Sequence, residues 1–188
     1  MFDGSYRTAA IITVGILILT GALGAFAVHA DKSVGEGLIA LMSEEVFVHI
    51  ESENPAVVAA NIFANNTETS AILFIGGATF GLITALILSI NGFIIGIVVE
   101  YVRQEQGTFV ILAGVLPHGI FEIPALVLAS MFGLLLGEEL WKELHGTGDA
   151  ISAAHQSGKQ FLAYVLPLLG IAAIIEGFIT PEIIQLFI

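Results

Sequence analysis

Leu116-Pro117-His118-Gly119-Ile120-Phe121-Glu122-Ile123-Pro124-Ala125 decides how the chain is read. It sets a histidine, a carboxylic acid and two prolines inside an apolar run. On a helix starting at Pro117, His118 and Glu122 lie four apart and share one face. Water is scarce at membrane depth. Such a pair must therefore find partners, shed its charge or line a wet cavity.

The composition around this stretch belongs to a membrane protein. Of 188 residues, 56% are hydrophobic and only 12% charged. Mean hydropathy is +0.96, where a soluble domain carries about a quarter charged residues. The expected class is all-α, a polytopic transmembrane bundle of about five spans forming one domain over residues 1–188. Seventeen acids against five bases leave a net charge of −12. That argues against nucleic acid as a partner and against docking on an anionic membrane surface. There is no cysteine, hence no disulfide or thiolate chemistry.

Outward from the central stretch, Thr8 to Ala30 reads as a retained first span. Val28-His29-Ala30 before Asp31 resembles a signal-peptide cleavage site, but the apolar core is too long. Residues 31–55 form an extramembrane amphipathic segment. Val34, Leu38, Leu41, Met42 and Val46 recur at helical spacing among Glu36, Glu44, Glu45, Glu51 and Glu53, so packing against the protein's own spans is expected. Asn54-Pro55 ends that helix, and a short one from Pro55 to Ala64 is predicted to stop at Asn65-Asn66. Thr69 to Ile90 reads as the second span. Asn91-Gly92 is a turn signal, so a break is expected there, with Phe93 to Val102 continuing.

Thr108 to Gly137 exceeds what one upright span needs, and Pro117 falls inside it. Two helical pieces hinged at Pro117 are expected, Phe109 to Leu116 and Pro117 to Leu136. Residues 138–158 read as a polar connection carrying Trp141 at the interface. Phe161 to Ile179 is the last span, with Glu176 near its end. Gly77/Gly81, Gly92/Gly96 and Ala125/Ala129/Gly133/Gly137 recur at four-residue steps that let helix backbones approach, which points to a homo-oligomer, most simply a dimer. Arg7, Lys142 and Lys159 outnumber Lys32 and Arg103 by one charge, placing the amino terminus inside.

Imidazole and carboxylate one turn apart can reach one cation, and divalent metals such as zinc accept that pair. Glu176 is the natural third ligand, with Asn91 as a neutral oxygen donor. Pro117, Pro124 and Gly92 would supply the helix breaks that free backbone groups near such a site. The alternative is a His118–Glu122 hydrogen bond that only clamps two helices. His29, His49, His145 and His155 read as surface groups. No HExxH, GxSxG or nucleotide loop is present, so an enzyme is disfavoured. An intramembrane metal hydrolase is the remote alternative.

The chain resembles the stage II sporulation protein M family. The resemblance is carried by Ile62-Phe63-Ala64-Asn65-Asn66, Asn91-Gly92-Phe93-Ile94-Ile95-Gly96, the Leu116 to Ala125 stretch, and Ile175-Glu176-Gly177-Phe178-Ile179-Thr180-Pro181. It implies a helical integral membrane domain in the bilayer of the cell. In spore formers it implies a membrane partner for peptidoglycan-degrading proteins, and hence a scaffold role in envelope remodelling.

Overall fold

The computed structural model describes residues 4–50 and 54–185, with side chains outside 43–50 and 184–185. Among the described residues all regular structure is helical. In order come α1 (Gly4–Ala30), α2 (Ser33–Ile50), α3 (Pro55–Ile75), α4 (Leu82–Gln106), α5 (Thr108–Leu144), α6 (Ala150–Gln160), α7 (Leu166–Ile174) and α8 (Thr180–Gln185). The last three join through π turns at Phe161–Val165 and Ile175–Ile179 into one rod. Four stretches are long and apolar enough to cross a membrane: Ser5–Ala30, Leu82–Gln106, Thr108–Leu144 and Ala150–Ile183.

α3 is not among these four, so four spans stand where about five were expected, and α3 packs alongside them. Ala59 near its start packs against Gly177, and Phe74 near its end stacks on Phe161 with ring centroids 5.7 Å apart. It therefore runs antiparallel to the α6–α8 rod. Asn61, Asn65, Asn66, Thr67, Glu68 and Thr69 give it a polar middle. The start of α1 meets the end of α5, where Ser5 Oγ donates to Glu138 at 3.2 Å. The Lys32–Glu105 ion pair holds the end of α1 near that of α4. Arg7 and Lys142 thus lie toward one end of the bundle and Lys32 and Arg103 toward the other.

The chain reverses at a place different from the expected one. The predicted second span, Thr69 to Ile90, is interrupted by a 3₁₀ turn at Gly76–Thr79. Phe80 (φ 56°) and Gly81 (φ 79°) then take left-handed backbone. Hydroxyls satisfy the groups the turn exposes: Thr79 Oγ1 donates to the Gly76 carbonyl at 2.7 Å and accepts from Ile83 N at 3.0 Å. Thr84 Oγ1 donates to the Leu73 carbonyl at 2.7 Å, closing the corner from inside.

α4 runs unbroken through Asn91-Gly92, so neither residue is a helix break. Asn91 Nδ2 donates to the Ile87 carbonyl one turn back, at 2.9 Å, which turns a potential breaker into part of the helix. Gly92 lies against Leu17 and Thr20 of α1, where a Cβ has no room. The glycine serves close approach and not a turn. Likewise Asn65-Asn66 does not stop α3. That helix starts as expected, with Pro55 at its head and the Asn54 side chain accepting from Ala56 N at 2.9 Å.

α5 is one helix, not two pieces, with both Pro117 and Pro124 inside it. It also runs on to Leu144, so much of the predicted polar connection is helical; α6 takes most of the remainder. The predicted apolar face of α2 packs only in part in its described stretch: Leu38 is half-buried and Met42 lines a cavity with residues of α3 and α4. Leu41 is 66% exposed, and the close contact is Gly35 against the Tyr101 ring. The side chains of Glu44, Glu45, Val46, His49, Glu51 and Glu53 lie outside the described residues.

The small-residue stripes are engaged inside the protomer. Gly96 abuts the Gly21 backbone, Gly77 meets Gly133, and Gly137 meets Gly81. Ala125 and Ala129 are wholly buried. A Gly96→Ala variant therefore drives a methyl into the backbone of α1 and should lose roughly 1–3 kcal/mol of stability. Gly15 has open space around its Cβ position, so Gly15→Ala should be neutral or gain up to about 1 kcal/mol. Thermal unfolding in detergent of the two variants beside the parent distinguishes these outcomes.

Candidate functional site

His118 and Glu122 sit on one face of α5, as their spacing requires. His118 Nε2 lies 3.8 Å from Glu122 Oε2, too far for a hydrogen bond. The His118 side chain is only 13% exposed, and its Nδ1 is buried without a partner. Pro117 and Pro124 donate no N–H to the Ala113 and Ile120 carbonyls. The helix absorbs both losses and continues.

Glu176 arrives from the rod, on the second π turn. Both π turns have the same cause. Leu166 N–H bonds back to the Phe161 carbonyl just before Pro167, and Thr180 N–H bonds back to the Ile175 carbonyl just before Pro181. A proline cannot bond four residues back, so the preceding turn widens to a five-residue bond. The widened turn carries Glu176 to α5. One ligand atom from each of His118, Glu122 and Glu176 lies within 4.8 Å of the other two.

These three residues line a cavity of about 420 Å³. α3 contributes Asn65, Asn66, Thr69 and Ser70 to it, and α4 contributes Asn91. With its Nδ2 tied to Ile87, Asn91 keeps its oxygen available to accept or coordinate. Apolar residues such as Ile94, Val98 and Leu169 complete the wall. No Lys or Arg is among the lining residues. Two carboxylates and an imidazole without a fixed cation need positive charge from a proton or a metal ion.

Ligand bonds of about 2.0–2.2 Å place the donor atoms of a tetrahedral zinc site roughly 3.4 Å apart. The three groups, within 4.8 Å of one another, stand wider than that, so they would have to draw together to share one ion. Three protein ligands would leave a fourth position of a tetrahedral ion for water or another donor. By ligand type, one imidazole and two carboxylates suit a borderline divalent metal.

The sequence named His118, Glu122, Glu176 and Asn91, and the fold brings all four to one cavity. Pro117 and Pro124 lie in the same helix as His118 without breaking it, while Gly92 serves the α1 contact. Asn65, Asn66 and Thr69 are the members that sequence reasoning missed. A signal was present: Asn65/Thr69 and Asn66/Ser70 repeat at four-residue steps, which is a polar helix face and not a stop.

The fold and this cavity define a class, the polytopic α-helical membrane proteins with a polar chamber between their helices. The chain belongs to the stage II sporulation protein M family, whose model matches residues 9–181. It is 32% identical over 127 residues to the uncharacterized protein MJ0793 of Methanocaldococcus jannaschii, covering 65% of this chain and 71% of that one. The uncharacterized protein MJ0706 of the same organism is 28% identical over 147 residues, covering 76% and 64% respectively. No solved structure matches. Together with its apolar helices, the family makes this an integral membrane protein.

A chain without cysteine gives a clean background for probing the chamber. Asn66→Cys and Asn91→Cys should react with a small water-soluble thiol reagent in membranes. Ser130→Cys should not, because Ser130 is fully buried and bonded to the Leu126 carbonyl. Equal protection of all three would mean the chamber is dry.

Proposed function

We propose that this is a multi-pass cell-membrane protein whose His118, Glu122 and Glu176 bind a divalent cation, zinc being the model ion. In this reading the chamber holds the ion at bilayer depth and passes it on during transport. The convergence of an imidazole and a carboxylate of α5 with a carboxylate of the rod, within 4.8 Å, is the observation that carries it. Asn65, Asn66, Thr69 and Asn91 supply neutral oxygens where the ion's water shell is exchanged. The chamber greatly exceeds the roughly 30 Å³ share of one water, so it accommodates the ion with its remaining waters. No nucleophile or base is required, and the protein is not read as an enzyme.

The rival is a scaffold that recruits envelope-remodelling partners, with the polar residues as a helix clamp. The 3.8 Å His118–Glu122 separation, too long for a hydrogen bond, favours the cation instead.

Metal analysis of detergent-purified full chain tests the proposal. One zinc per chain is expected after loading, and His118→Ala/Glu122→Gln should weaken the affinity by at least about tenfold while the protein stays folded. Affinity should also fall as the pH drops, because protons compete for the same three ligands. A wild-type chain that binds no zinc, manganese or cobalt above the double variant would end the cation reading.

A further inference from the structure

A second, largely apolar cavity lies at the end of the bundle that carries the start of α1. It is about 350 Å³ and is formed by α1, α5 and the junction of α6 with the first π turn. Arg7, Gln160 and Tyr6 mark its polar end, while Ala10, Leu128 and Met131 continue inward as hydrocarbon wall. We propose that this groove holds an anionic phospholipid, its phosphate on Arg7 and one acyl chain along the apolar wall.

The argument starts from charge. The chain has five Lys and Arg residues against seventeen acids. Lys32, Arg103 and Lys142 are each tied to a glutamate on a neighbouring turn or helix. Arg7 makes no ion pair among the described residues, although acids outnumber bases more than threefold. Lys159, one residue before Gln160, makes none either. An exposed guanidinium left without a carboxylate at the membrane border is matched by a lipid phosphate, which it grips with two parallel N–H bonds.

Two further features point to the same ligand. Gln160 borders the groove, and its Oε1 is buried without a partner, a polar atom beside the Arg7 end that no protein group satisfies. Tyr164, on the π turn, lines the groove and remains 59% exposed, as a phenol at a lipid headgroup level would be. The chain's overall charge of −12 repels an anionic membrane surface. Selective capture must therefore come from this local site and not from a diffuse field. The site is at the opposite end of α1 from the Lys32–Glu105 pair and shares no lining residue with the His118 chamber.

Native mass spectrometry of the full chain, delipidated in detergent and titrated with dioleoylphosphatidylglycerol or dioleoylphosphatidylcholine, tests this. Wild type should bind the anionic lipid about tenfold more tightly, the weight of one charge-assisted contact. Arg7→Gln should bring the two lipids to parity, and Arg7→Lys should recover part of the preference. Ala10→Trp, which fills the acyl wall and leaves the charge, should weaken the first bound lipid of either kind. Unfolding temperatures in lipid-free detergent establish that each variant is folded. Equal binding of the two lipids by wild type, or an undiminished preference in Arg7→Gln, overturns the proposal. So does a groove closed by a second copy, read as a dimer that excludes lipid.

Discussion

Direct backbone contact between helices, made possible by glycine, is the constraint on which the remaining structure depends. Gly96 on Gly21, Gly133 on Gly77 and Gly137 on Gly81 each remove a side chain from the interface. Within a bilayer there is no hydrophobic force between apolar helices, so such close fits supply the packing that holds them. They also set depth. With α1 locked to α4, and α5 locked to the turn at Gly76–Thr79, the polar positions of α3, α4 and α5 arrive at one level.

The chamber follows from that alignment. A carboxylate facing lipid is costly, and a carboxylate facing a shared cavity with imidazole and amides is not. The fold therefore gathers its intramembrane polar groups where they share hydration and charge. Proline adds the last member: Pro181 forces the widened turn on which Glu176 reaches α5. The same device at Pro167 places Tyr164 at the lipid-facing groove. One local defect, used twice, serves two different surfaces.

Much of the helical map was legible beforehand. Long apolar runs bounded by charges announce spans, because the only alternative in hydrocarbon is an unsatisfied backbone. The reversal point was not legible. Asn91-Gly92 is the stronger turn signal by dipeptide, and Gly76-Gly77 with Gly81 resembles a packing stripe. Which pair bends and which pair packs depends on the helix lying opposite. For Gly92 that helix is α1; for Gly81 it is α5, whose Leu134 would crowd a Cβ, while glycine takes the left-handed backbone freely. The stripes on α5 were read as a surface for a second subunit, but their partners are in the same chain.

By itself the sequence determined that the protein is a helical membrane bundle, and that His118 and Glu122 share a helix face with few ways to remain unpaired. Hydropathy and helical period are local properties, so the chain carries them openly. Only the tertiary structure decided that Glu176 joins them, that Asn65, Asn66 and Thr69 line the chamber instead of ending a helix, and that Arg7 borders a groove. Those are relations between residues far apart in the chain. They are set by which backbones fit against each other, and no single stretch of sequence records that fit.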